Sequence, residues 1–514
     1  MKSVLTVSAF LSSVFCLRTL ASVALCNSQD YELGVLGLTP LQTYNAAPFS
    51  LPQINYVIPP TDCPSNTEVE GYIFYRPLWP HGTVGGDAFI MNPNGTLVYS
   101  ALQDTIDDVS IRLGIQSFKG EDHLAIWLGA LVEPGYGSGY NLLLDNTYTI
   151  VANITTAANL DVGADLHELQ ITSNDTAIMT AYTTQATNLS DFGGPEDGFV
   201  LNGAVQEVDI ATGEALFTWH ALDQIDLSES FTNIGEVGVG NGTRDNPWDF
   251  FHINSIQKLD DGNYFISSRH CHTLYLVSPS GEVIWRMGGK ISDFTFGPGA
   301  NFSWQHHARM HDSRTISVFN NGATGWEQDF PFSQGLLFKY DMSFMTAQGS
   351  VQLLEDRYSL VGWGQQPYFS QHDEHGEILW SAQFGLNSTA YRVFFHDWVG
   401  RPKTPPSVHV SNTSSFTNVT IYAWWNDATE ITAWQLLGAN ASSTAKNYHS
   451  SKLAPLGDPV GKLDFETTLT YNGGQGYYEL YQVAALNSSG HALGYSNVTS
   501  LDGTSSFKMD TSLD

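Results

Sequence analysis

The sequence predicts an all-β chain: a six-bladed β-propeller over residues 71–400, followed by a small fibronectin-III-like β-sandwich over 407–500. Three observations predict it. Aromatic residues make up 12% of the chain and glycines number 47, while charged residues are only 14%, a composition that favours strands over helix bundles. From Gly71 onward a strand, a polar turn and an apolar strand recur, with turn marks at Asn94–Tyr99, Asp145–Tyr148, Thr212–Phe217, Ser280–Trp285, Asp341–Phe344 and His375–Trp380; six marks imply six blades. After Arg401-Pro-Lys-Thr-Pro-Pro406, a stiff linker, stretches such as Val419-Thr-Ile-Tyr-Ala-Trp-Trp425 alternate strictly, as strands with one buried face do.

Taken in order, residues 1–24 read as a secretory signal: Lys2, an apolar run from Val4 to Leu17, then small residues at Ser22 and Ala24. The run is shorter than the roughly 20 residues that span a bilayer, so no membrane contact is expected once it is cut after Ala24 or Cys26. Residues 25–70 are Pro-rich and read as an extended, loop-like lead-in. Asn-x-Ser/Thr acceptors at Asn94, Asn153, Asn174, Asn188, Asn241, Asn301, Asn387, Asn412, Asn418, Asn440, Asn487 and Asn497 fit a glycosylating secretory route. Cys16 leaves with the signal, and Cys63 can pair with Cys271 or Cys26. Trp424, Trp425 and Trp434 are expected in the core of the sandwich, and residues 501–514 as a tail. A net charge of −31 argues against a nucleic-acid partner.

The stretch from Asn246 to Asp312 is the clearest blade. His252 opens a strand, Asp261-Gly-Asn263 turns it, Tyr264 to Ser268 return, and Thr273–Val277 and Val283–Trp285 complete four strands. His167, His252 and His306 each open such a strand, so their side chains are expected to converge on one channel. Arg269 closes the hairpin that His252 begins; its planar fork suits a sulfate, phosphate or carboxylate, and a neutral imidazole beside it can act as base, acid or nucleophile. His270-Cys-His272 puts two imidazoles on one strand face, but no third ligand has an obvious spacing, so no metal is expected. His372 and His375 are expected to be solvated in a polar turn. No phosphate loop, dinucleotide fingerprint, zinc-hydrolase motif or nucleophile elbow occurs, and no cofactor is expected.

Asp249-Phe-Phe-His-Ile-Asn-Ser-Ile256, Asp261-Gly-Asn-Tyr-Phe-Ile-Ser-Ser-Arg269, Gly281-Glu-Val-Ile-Trp-Arg-Met-Gly-Gly289 and Phe302-Ser-Trp-Gln-His306 resemble the arylsulfotransferase family in its secreted fungal branch, from about Gly71 to Gly400. The resemblance implies a propeller with its site on the central channel, and sulfuryl transfer between phenols without a nucleotide, through a transiently sulfated histidine. His306 matches that nucleophile, while His167, His252, Asn254 and Arg269 match the residues that hold the sulfate and handle the phenol proton. His306, His252, Arg269 and His167 are thus the candidate catalytic residues, and Asn254, His307 and Trp304 the candidate substrate-binding ones. Two positions depart from the pattern: His307 follows the Gln-His pair where the branch carries Asp, and Gln334 stands where Arg is common. Two other functions fit the same channel: a recruited natural-product cyclase, (hetero-)Diels–Alderase or dehydratase acting on phenolic or tropolone-like intermediates, and a non-catalytic secreted binding protein. All three expect an aromatic small molecule as the ligand.

Overall fold

The computed structural model describes residues 24–507, except 49, 59–70, 79–87, 101–108, 133–134, 295, 297–298, 312–314, 338–348, 355–357, 365, 387, 412–418, 441–452, 474–477 and 502–505. The signal segment up to residue 23, with Cys16, as well as Cys63, the turn mark at Asp341, the acceptors Asn387, Asn412 and Asn418, and most of the tail lie outside the described residues. The chain is almost entirely strand. Its regular elements follow from local chemistry, as in the hairpin joining Ile253–Lys258 to Tyr264–Ser268. There Gly262 adopts φ +86°, which its missing Cβ permits, and the Asp261 carboxylate accepts from the Asn263 N–H.

Six antiparallel sheets succeed one another along residues 72–396. The second comprises Val109–Phe118, Glu121–Val132, Tyr136–Leu144 and Ile150–Ile154, and the third Leu169–Ile171, Thr176–Thr187, Gly198–Asp209 and Ala215–His220. The fourth is Ile253–Lys258, Tyr264–Ser268, Thr273–Val277 and Val283–Gly288; the fifth is His306–Met310, Ile316–Asn320 and Gln334–Leu336. The sixth holds Ser350–Leu353, Ser359–Gly362, Tyr368–His372 and Ile378–Gln383. The first sheet is completed from far along the chain: Thr389–His396 pairs with Tyr72–Leu78, which continues to Phe89–Met91 and Leu97–Ser100. No sheet among the described residues closes on itself.

Neighbouring sheets face each other across shared cores. Phe74 and Ile90 meet Leu113 and Ile126 between the first and second sheets, and Leu143 meets Met179 between the second and third. Val205 and Trp219 meet Ile266 and Tyr275 between the third and fourth; Leu274 meets Val318 between the fourth and fifth. Phe319 meets Val361 between the fifth and sixth, and Phe369 and Trp380 meet Tyr75 and Phe89 between the sixth and the first again. Six inner strands, one from each sheet, lie each beside the next and the last beside the first: Thr389–His396, Val109–Phe118, Leu169–Ile171, Ile253–Lys258, His306–Met310 and Ser350–Leu353.

Glutamines lock these inner strands together. Gln116 Oε1 accepts from the Ile171 N–H at 2.8 Å, and Gln170 Oε1 from that of Lys258 at 2.7 Å. Gln257 grips both polar groups of Met310, at 2.8 and 2.9 Å, and Gln352 both of Phe395, each at 2.7 Å. Each side chain satisfies backbone groups that its neighbour's own ladder leaves unpaired. Gln257→Leu is therefore expected to cost about 2 kcal/mol, read as a lower denaturation midpoint at unchanged slope.

Of residues 25–70, expected as a loop-like lead-in, the described part up to Ile58 instead supplies strands. Leu25–Cys26 lies parallel to Asn55–Ile58, which extends the sixth sheet by pairing with Ile378–Gln383. Leu51, Ile54 and Tyr56 bury in the core between the sixth and first sheets, a burial that such short strands do not announce in sequence. Cys26 is disulfide-bonded, whereas Cys271 is a free, buried thiol pushed up to about 12 by burial, which removes the Cys63–Cys271 pairing. His372, expected in solvent, is buried at a strand end against Ser370 and the Gly376 carbonyl; His375 is exposed. Beyond the linker, Ser407–Ser411, Val419–Trp424 and Thr467–Tyr471 form a sheet that shares a core with a second one built around Ala433–Ala439 and Leu480–Leu486. Trp425 and Trp434 lie in that core, while Trp424 leans on the core between the sixth and first sheets. The described acceptor asparagines are exposed or half-buried.

Candidate active site

Three histidines stand at the beginnings of successive inner strands. His167 lies two residues ahead of Leu169–Ile171, His252 one ahead of Ile253–Lys258, and His306 is the first residue of His306–Met310. All three are buried. Each imidazole is held through Nδ1: His167 by Asp165 at 2.6 Å, His252 by Asp249 at 2.6 Å, and His306 by the Asn321 side-chain oxygen at 2.6 Å. Asp165 is fixed in turn by the Thr180 hydroxyl and the Gly137 N–H. With the Nδ1 proton directed to an oxygen, each ring keeps its Nε2 lone pair. The His167 and His252 rings meet edge to face, 5.1 Å between centroids, and the rings of Tyr182 and Tyr391 close around them.

Arg269 sits where the hairpin from His252 ends. Its guanidinium lies 5.1 Å from the Trp304 ring centroid and donates to His270 Nε2 at 2.9 Å. Burial pushes it down to about 10, which leaves it charged at neutral pH. Burial, with His167 and the Arg269 guanidinium close by, holds the His252 imidazole well below the usual histidine range; burial and Arg269 do the same to His306, although Asn321 works against them. Both rings are therefore neutral near pH 7. Burial raises Asp249, although His270 and the His252 N–H oppose it. Backbone at His252 (φ +45°), His272 (φ +51°), Trp304 (φ +53°) and His307 (φ +52°) is left-handed, conformations that surrounding structure must impose on such side chains.

The structure thus brings His167, His252, Arg269, His306 and Trp304 together. Asn254 is beside them but braces the backbone: its Nδ2 donates to the Gln305 carbonyl at 2.6 Å, and its own carbonyl accepts from Arg392. His307 turns away from His306 and lines a different space. The His270/His272 pair is split, since His272 stacks on Phe231 while His270 joins Asp249 and His252. Those three place one ligand atom each within 4.8 Å. They are already engaged with one another, and the Arg269 guanidinium against His270 opposes a divalent cation there.

Sequence reasoning missed the groups that orient the imidazoles, Asp165, Asp249 and Asn321. For the two acids a signal existed: Asp165-Leu-His167 and Asp249-Phe-Phe-His252 each put a carboxylate just ahead of a strand-opening histidine. It also missed a second cluster further along the same strands. Glu168 is buried between Arg112, Arg309 and Arg392, beside a cavity of about 290 Å³ to which all six inner strands contribute, for example through Arg112, Glu168, Gln257, His307, Gln352 and Arg392. His167, His252 and His306 do not line it.

Among curated proteins none matches the chain. Solved structures similar to it include a protein of unknown function from Bacteroides caccae, 10% identical, covering 63% of this chain and 98% of that one at a TM-score of 0.36. A mutant of the GH43 protein BlXynB from Bacillus licheniformis is 10% identical over 77% of this chain and 91% of that one, with a TM-score of 0.27. A Lactobacillus plantarum protein is 11% identical over 78% and 100%, with a TM-score of 0.29. These likenesses are too distant to bear on fold or function. Residues 114–385, from the second sheet to just past the sixth and including the whole histidine cluster, match the arylsulfotransferase (ASST) family; with more than half of its 514 residues covered, the chain belongs to that family.

Proposed function

We propose that this chain is a secreted arylsulfotransferase-like enzyme that moves a sulfuryl group from an aryl sulfate to a phenol through His306, without a nucleotide donor. Its scaffold on this reading is a six-bladed β-propeller over residues 71–400 with the reaction on its axis. The return of shared cores from the sixth sheet to the first supports that scaffold. The observation that carries the chemistry is the state of His306: neutral, buried, its Nδ1 tied to Asn321 and its Nε2 lone pair left as a nucleophile under the charge of Arg269.

In the first half-reaction His306 Nε2 bonds to sulfur as the sulfur–oxygen bond to the donor breaks. The aryl oxygen departs as a phenolate, and Arg269 offsets charge on the sulfuryl oxygens. In the second, an acceptor phenol gives its proton to His252 Nε2 as its oxygen attacks sulfur; the sulfur–nitrogen bond breaks and neutral His306 returns. The proton on His252 then passes to the departed phenolate or to solvent. Asp249 keeps His252 in the tautomer that can accept it. Asp249→Asn is therefore expected to slow turnover about 10⁴-fold while a burst of phenol release from the donor half persists, as stopped-flow absorbance would show.

Incubation with an aryl sulfate tests the reading: phenol release together with a sulfuryl adduct on the peptide containing His306 is expected. A second reading, cyclisation of a neutral aromatic intermediate, is favoured by Gln334, an amide held by Asn320 where Arg is common in the family. It gains if aromatics bind tightly and no adduct forms.

A further inference from the structure

The cluster around Glu168 has a charge imbalance that the proposed chemistry does not use. Arg392 approaches both Glu168 oxygens at 3.3 Å, Arg112 lies 3.6 Å from one, and Arg309 bonds the other. One carboxylate thus faces three guanidinium groups, and it is the only acid among the described residues lining the cavity. Arg112, Arg392 and Glu168 are all more than nine-tenths buried. Such a surplus of positive charge is unusual in a chain with 52 acidic residues against 21 Lys and Arg. Buried charges without partners are costly, and each guanidinium offers more donors than one carboxylate can fill.

Two polar atoms here have no partner. Arg392 Nε is buried without an acceptor, and Nδ1 of His307, a side chain 4% exposed that lines the cavity, is buried with no hydrogen-bond partner. His307 is also the residue whose left-handed backbone and irregular register turn it away from His306, so adjacent residues serve two separate spaces. The cavity's roughly 290 Å³ exceeds what an ion such as sulfate or phosphate occupies, leaving room for water or a small organic body.

We propose that this cavity is a second site, distinct from the histidine cluster, that binds a small oxyanion between Arg112, Arg309 and Arg392 with Glu168 as the fixed counter-charge. A tetrahedral ion or a carboxylate matches the forked geometry of the three guanidinium groups. The site stands whether or not His306 carries a sulfuryl group, because none of its residues belongs to that reaction.

Selenate is the probe. An anomalous difference peak among the three arginines is expected in crystals soaked with it, and titration calorimetry at matched ionic strength should show saturable binding of selenate and phosphate but not chloride. Arg309→Gln should weaken that binding ten- to a hundredfold, about what one charge-assisted contact contributes, while His306→Ala should leave it intact. The proposal is overturned if the cavity shows no peak, or if His306→Ala abolishes binding and Arg309→Gln does not, which would put the ion among the histidines. The anomalous map on the unaltered protein decides the matter even if the arginine variant fails to fold.

Discussion

Replacing His306 by Ala is expected to lower kcat/KM for aryl-sulfate turnover by about 10⁴-fold and to remove the covalent adduct altogether. No neighbouring imidazole can substitute, because Asp165 and Asp249 hold His167 and His252 through their Nδ1 atoms in orientations set by their own strands. His306→Gln keeps much of the volume and polarity without the nucleophile, so an equal loss there would separate chemistry from packing. The first half-reaction should also resist acid. Burial and Arg269 keep the His306 ring neutral well below its ordinary range, so the nucleophile is still available as pH falls through 6. Pre-steady-state phenol release between pH 5 and 8 is expected to vary little, and a steep fall centred near the ordinary histidine value of about 6.5 would contradict the assigned environment.

Glu168→Gln is expected to destabilise the fold by about 3–5 kcal/mol, since it leaves three guanidinium groups without their shared counter-ion. Burial acts to raise this carboxyl, but Arg309, Arg392 and Arg112 outweigh it and hold the group at about 2. Because the folded value lies below the ordinary one, the stabilisation is complete above about pH 4.5 and is lost as pH falls toward 2, an effect of about 3 kcal/mol. Denaturant titrations of wild type at pH 6 and pH 3 should show the loss, and Glu168→Gln should show a much smaller one. The exposed Arg401–Glu430 pair is the contrast: solvent screens it, and breaking it is expected to change stability little.

Much of this was legible in one dimension. The turn residues of the hairpins after His252 and before Val283 follow from Asp261-Gly262 and Ser280-Gly281, and strict alternation marked Val419–Trp424 as half-buried. Five of the turn marks fall just before the last strand of a sheet, and the sixth lies outside the described residues. Less legible were groups whose partners are distant in sequence. Gln116, Gln170, Gln257 and Gln352 recur as a polar residue after an aliphatic one within a strand, a pattern that reads as ordinary surface alternation until the next sheet's backbone stands against it. His307 looked like a neighbour of His306 in function because it is one in sequence. A left-handed residue and a slipped register between His306 and Arg309 give it a different direction.

The sequence by itself determined the all-β class, the family and the strand-opening positions of His167, His252 and His306, because turn chemistry and side-chain alternation act over a few residues. Only the tertiary structure decided which carboxylate holds which imidazole, that Thr389–His396 completes the first sheet, and that Glu168 sits among arginines from three other sheets. Those outcomes depend on contacts between residues far apart along the chain. Local propensity carries no term for them, and they take effect only when neighbouring sheets bury their faces against each other.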